Sequence, residues 1–143
     1  MFTKINDGFW FDEEVLNLSP NAKLLLIYLM TNRHRNMAGL YRLPKIYVAD
    51  DLQLPEQVAA AAWGELLNAE MISYDEQKRL VLVRDFMKHN PLDSPKQVTG
   101  AIKKIIELPK SPLMLELVEI LKRQNSKGHL EPLLEELNAA VID

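Results

Sequence analysis

Residues 54–86, LPEQVAAAAWGELLNAEMISYDEQKRLVLVRDF, constrain the fold more than any other stretch. Leu54-Pro55-Glu56 is a helix start, because a proline in the first turn gives up no needed N–H and its φ is already set. Val58, Ala59, Ala62, Trp63, Leu66 and Leu67 then recur at steps of three and four, which predicts a helix ending near 68–70. The period changes to two at Met71-Ile72-Ser73-Tyr74 and at Leu80-Val81-Leu82-Val83, both rich in β-branched or aromatic residues and read as strands. The polar run Asp75–Arg79 between them predicts an exposed hairpin tip. A helix that runs straight into a two-stranded hairpin is the second half of a winged helix-turn-helix.

The preceding chain supplies a first half. Ser19-Pro20 caps a helix through AKLLLIYLMTNR, with Ala22, Leu25, Leu26 and Leu29 on one face. Leu24, Ile27, Tyr28 and Met30 lie on its other faces, so this helix needs cover on more than one side. The polar loop 33–38 leads to a short strand, Gly39–Leu43, closed by Pro44. Lys45–Leu52 reads as a short helix with Ile46, Ala49 and Leu52 inward, and Gln53-Leu54 as a tight turn. The predicted order is helix, strand, helix, turn, helix, strand, strand, which is winged-helix topology. Before it, Phe2, Ile5, Phe9, Trp10 and Phe11 read as lids on the core, with an arm toward a partner subunit as the alternative. Asp12 caps a short turn, 13–16.

Beyond Phe86 two prolines mark a linker, 87–95. Ser94-Pro95 opens a helix bearing Val98, Ala101, Ile102, Ile105 and Ile106. Ser111-Pro112 opens another with Leu113, Leu115, Leu117, Val118, Ile120 and Leu121. Gly128 breaks it, and a last helix over 129–142 carries Leu130, Leu133, Leu134, Leu137 and Val141 on one stripe. The expected fold class is therefore mainly α: a winged helix-turn-helix of three helices and a small sheet over residues 1–90, then a helical extension of about three helices over residues 91–143.

At 143 residues and 48% hydrophobic content the chain can bury a core. It has no cysteine, no apolar run near the ~20 residues that cross a bilayer, and no signal-peptide pattern at its start, so a cytoplasmic protein without a membrane partner is expected. Its three histidines, His34, His89 and His129, stand far apart and without metal-ligand spacing, and five glycines form no phosphate-cradling loop. Adjacent acids such as Asp50-Asp51 and Glu135-Glu136 point in different directions on a helix. No enzyme, metal or cofactor is expected.

The net charge of −3 is not the usual footprint of a nucleic-acid binder, and neither half of the chain is a basic tail. A local basic surface can still act within an acidic protein. The outward positions of the 56–68 helix include Gln57 and Asn68 as base-reading candidates, while Glu56 and Glu65 repel phosphates. The phosphate-facing candidates are Arg33 and Arg35 in the loop, Arg42 and Lys45 before the second helix, and Lys78 and Arg79 at the wing tip. Ala60, Ala61 and Gly64 make a smooth surface for another backbone, and with Leu133 and Leu137 of the last helix they are candidate self-association residues.

The segments FWFDEEVLNLSPNAKLLLIYLMTN, GLYRLP, 54–86 and MKHNPLDSPKQVTGAIKKI together resemble phage replisome organiser proteins and the related DnaD-type primosomal proteins. The resemblance spans residues 1 to about 107 and concerns pattern, with no catalytic signature. It implies a winged-helix domain in DNA-replication initiation, of phage or prophage origin, that binds double-stranded origin DNA or self-associates as a homo-oligomer. It also implies help in recruiting a replicative helicase or its loader. Two further readings stand beside it: a winged-helix oligomerisation module that binds no DNA, and a transcription regulator.

Overall fold

A computed structural model describes residues 2–142, with side chains described up to residue 140, so Val141 of the predicted stripe lies outside the described side chains. The protein is mainly helical with one small antiparallel sheet. Its elements are α1 (Glu13–Leu16), α2 (Pro20–Thr31), β1 (Leu40–Arg42), α3 (Ile46–Leu52), α4 (Glu56–Asn68), β2 (Ile72–Asp75), β3 (Leu80–Val83), α5 (Phe86–His89), α6 (Pro95–Ile106), α7 (Leu113–Gln124) and α8 (Glu131–Ile142). A 3-10 turn over Asp7–Phe11 precedes α1.

Local chemistry explains most boundaries. Asp12 accepts from the Glu14 N–H and starts α1. The Ser19 hydroxyl accepts from the Ala22 N–H at 3.2 Å and starts α2. Gln53 takes the left-handed conformation that ends α3, and extended Pro55 sets the entry to α4. At α6 the capping box is complete: Ser94 Oγ accepts from the Gln97 N–H, and Gln97 Oε1 accepts from the Ser94 N–H. Pro112 offers no side-chain bond, and Ser111 caps instead, its Oγ accepting from the Leu113 N–H at 3.2 Å.

The strand order is β1-β3-β2, both pairs antiparallel, with Arg42 opposite Leu80 and Asp75 opposite Leu80 on the other side. β3 is central and all four of its residues are buried, because both faces of the sheet are covered. α2 packs on α4 and α3, while α7 packs on β2 and β3, and α8 covers α6 and α7. One hydrophobic core runs from Phe9 to Leu137, so the segments expected as domain and extension share it. Gly39 sits at this join with φ +75°, where a Cβ would lie 2.8 Å from the Phe86 Cβ.

Four expectations need correction. In α3, Val48 is buried and Ile46 is exposed, because apolar residues at 46, 48, 49 and 52 fit two helical stripes and the α2–α4 packing selects the one through 48. Of the leading aromatics only Phe9 is a lid; Phe2, Trp10 and Phe11 stand in solvent. Leu67, Ile106 and Leu115 are exposed rather than inward. Leu133 and Leu137 are fully buried within the chain, where α8 meets α6 and α7, so they offer no surface to another subunit.

Candidate nucleic-acid interface

The β2–β3 tip is built on Asp75. Its Oδ1 accepts from the Gln77 and Lys78 N–H groups, both at 3.0 Å, closing the turn. Its Oδ2 accepts from the Ser111 hydroxyl at 2.6 Å, which ties the tip to the start of α7. That hydroxyl bond is the main reason the Asp75 carboxyl is held below its ordinary range. Arg79 turns back with φ 56°, and its carbonyl accepts from the Leu43 N–H at 2.8 Å, tying the tip to the end of β1.

Tyr74 is the hub beneath. Its hydroxyl donates to the Leu43 carbonyl at 2.8 Å, and its ring meets Trp63 edge to face at 5.1 Å. The Lys45 ammonium lies 5.3 Å from the ring centre and pairs with Glu76. Burial raises the Tyr74 phenol and Glu76 adds to this, while Arg79 and Arg42 act against it, which puts both guanidinium groups within electrostatic reach of the ring. Arg42 lies opposite Leu80, the residue after Arg79, and Lys45 reaches the Tyr74 ring, so Arg42, Lys45 and Arg79 gather at one end of the sheet, with Lys78 on the same turn; all four are exposed. Arg42, Lys78 and Arg79 form no ion pair among the described residues.

The other predicted cations lie elsewhere. Arg35 is half-buried, its Nε donating to Thr3 Oγ1 at 2.6 Å and its Nη1 to the Asn32 carbonyl at 2.9 Å. Arg33 is exposed near Tyr28, whose hydroxyl donates to Asp51 Oδ2 at 2.6 Å. Burial, first, and the Asp51 bond raise the Tyr28 phenol. His34 completes this corner, stacked on Tyr47 at 5.1 Å and with Nε2 3.9 Å from Asp51 Oδ2. Lys45 precedes α3 and Asp51 lies in its last turn, so about 9 Å of helix axis separates these two residues.

On α4, Gln57 and Asn68 are both exposed but lie at opposite ends of the helix, about 16 Å apart along its axis. Glu65 is committed to the fold. Its carboxylate accepts from the Ser19 hydroxyl at 2.5 Å and the Ser19 N–H at 2.9 Å, which lower its pKa. Between α3 and α4 runs an apolar groove of about 350 Å³, lined by Ile46, Ala60, Trp63 and Gly64, with Lys45 and Glu56 also on its walls. Ala60 and Gly64, predicted as a smooth surface, lie in this groove; Ala61 is exposed outside it. The Trp63 indole N–H is buried without an acceptor among the described residues.

Sequence reasoning missed Tyr74, Asp75, Ser111 and Ile46. Tyr74 and Asp75 take partners 30 or more positions away, and although Ser-Pro marks Ser111 as a helix start, no local pattern marks its bond to Asp75. Ile46 carried a signal in its two possible stripes, but burial alone chose between them. No helix among the described residues is long and apolar enough to cross a membrane. No family model, curated protein or solved structure matches the chain.

Proposed function

We propose that residues 20–83 form a winged helix-turn-helix, with α3 and α4 as the helix pair and β2–β3 as the wing. We further propose that the chain is a non-enzymatic accessory protein of DNA-replication initiation that binds duplex DNA and associates with itself. The strand order β1-β3-β2 and the helix–strand–helix–helix–strand–strand sequence support the fold reading. The single observation that carries DNA binding is the gathering of Arg42, Lys45, Lys78 and Arg79 at the end of the sheet that bears the hairpin tip. Arg42, Lys78 and Arg79, exposed and without an ion pair among the described residues, suit phosphates, and phosphate contacts position a protein without reading bases.

The face of α4 supports weak sequence selection. Gln57 is its one base-reading side chain near the cationic end, beside the repelling Glu56. Recruitment of a replicative helicase or its loader stays part of the proposal on the resemblance alone.

The test is Lys78→Glu with Arg79→Glu, measured on a random duplex of about 30 base pairs at several salt concentrations. Binding should fall at least about tenfold, and the slope of log affinity against log salt should drop by about two. Unchanged affinity and slope would remove the wing from the mechanism. A second reading, an assembly module that binds no DNA, is favoured by the apolar groove where a base-reading surface would otherwise lie.

A further inference from the structure

We propose that the chain assembles head to tail, the Trp10–Phe11 knob of one copy seating in the α3–α4 groove of the next. This rests on the self-association half of the proposed function and does not depend on DNA.

The knob is held out from the body. Phe11 is 81% exposed and Trp10 53% exposed, although both follow the buried Phe9. The arm that carries them is anchored: the Lys4 N–H donates to Asn90 Oδ1 at 2.7 Å and the Asn6 N–H to His89 Nδ1 at 2.9 Å. Phe9 meets Trp10 edge to face at 5.0 Å. Two large aromatics displayed on an anchored turn lose little freedom on docking. Left in water they leave apolar surface uncovered, which marks an interaction site when it faces a matching pocket.

The groove is the matching surface. Its wall residue Ile46 is 72% exposed, and a Cβ built on Gly64 would meet nothing within 4 Å. The small residues Ala60 and Gly64 leave the room that a larger pair would fill. Charge fixes the direction of entry. Exposed Asp7, Glu13 and Glu14 flank the knob, whereas Asp12 is already paired with Lys88 at 3.5 Å. The groove has Lys45, itself paired with Glu76, at its α3 end, and the exposed Arg42 and Arg79 lie at the adjoining end of the sheet. Glu56 on the opposite wall carries the like charge and turns the acidic flank toward the exposed Arg42 and Arg79. The arm is anchored on α5, and none of its residues lines the groove of its own chain. The contact joins two different patches, so it propagates from copy to copy and does not close as a twofold pair.

Two variants at exposed positions test this in the full chain without DNA. Trp10→Ser with Phe11→Ser removes the knob, and Ile46→Glu spoils the groove; thermal unfolding checks that each keeps the fold. Light scattering after size exclusion should give a wild-type mass that rises with concentration beyond two chains, and a single-chain mass for each variant. An equal mixture of the variants should give a species of two chains and no larger, because only one intact knob and one intact groove meet. A single-chain wild type at every concentration would overturn both the assembly and the self-association half of the function. A wild-type oligomer that either variant leaves intact would overturn the knob and groove alone. A wild type that stops at two chains, or a mixture that stays single-chain, would overturn the head-to-tail geometry.

Discussion

The loop over residues 32–39 and the wing tip over residues 75–79 flank β1 at its two ends, and each is a polar connection with two cations. They differ in where their polar groups are spent. In the loop, Asn36 is buried: its Oδ1 accepts from the Ala38 and Gly39 N–H groups, and its Nδ2 donates to the Leu40 carbonyl at 2.6 Å. Asn32 is buried beside it, donating to the Tyr41 hydroxyl at 2.7 Å, which in turn donates to the Leu29 carbonyl. Arg35 is drawn into the same frame. The wing closes its turn through Asp75, and Lys78 and Arg79 are left to solvent. Arg35, whose guanidinium donates to the loop's own backbone, becomes structure while Arg33 of the same loop stays exposed, whereas both cations beyond the self-sufficient wing turn stay available to a partner.

The largest effect that tests this contrast is on stability. Asn36→Ala strands two buried N–H donors and one carbonyl, and should destabilise the fold by about 3 kcal/mol in urea denaturation. The wing double reversal, Lys78→Glu with Arg79→Glu, should change stability by no more than about 0.5 kcal/mol while weakening duplex binding as described above. A similar loss of stability in both variants would erase the distinction.

Ser111→Ala sharpens it at an intermediate level. The variant loses the cap at Leu113 and the bond to Asp75, about 1 kcal/mol at neutral pH. The Asp75 carboxyl is depressed in the folded protein, so its stabilising share is present above the ordinary value of 3.8 and is lost as pH falls through the folded value. The gap between wild type and Ser111→Ala should therefore be wider at pH 7 than at pH 3 in matched denaturation curves.

The smallest effect concerns the arm. Burial, first, and Lys88 depress His89, against the pull of Asp85 and Asp12, so the folded state favours its neutral form. A depressed histidine favours the folded state at high pH, and this share declines as pH falls below the ordinary 6.5. Protonated Nδ1 can no longer accept from the Asn6 N–H. Amide exchange at Asn6 should quicken a few-fold beyond the intrinsic pH trend between pH 7 and pH 5. An unchanged protection factor would show that the arm is held by Phe9 and Asn90 without His89.

Much of the backbone was legible because its signals are local. Ser19-Pro20, Asp12 and Ser94-Pro95 each start the helix predicted for them, since a cap acts on N–H groups two or three residues away. The change of period at residue 71 placed the hairpin, since periods of 3.6 and 2 cannot share one element. The candidate site was legible only in part. Arg42, Lys45, Lys78 and Arg79 come together, but Arg33 and Arg35 do not, and Asn68 stands a helix length from Gln57. Ala60 and Gly64 were marked as a smooth surface, and it took Ile46 turning outward beside them to make a groove.

The amino-acid sequence by itself determined where most of the helices and strands begin, which residues cap α1, α2 and α6, and that a sheet hairpin follows the helix over 56–68. These follow from bonds and periodicities spanning a few residues. The tertiary structure decided which stripe of α3 is buried, that Leu133 and Leu137 close the core within the chain, and that Asp75 takes its hydroxyl partner from Ser111. It also decided which cations face solvent. Those outcomes depend on contacts between residues far apart in sequence, where burial of one stripe or one polar group excludes its competitors and no local pattern records the choice.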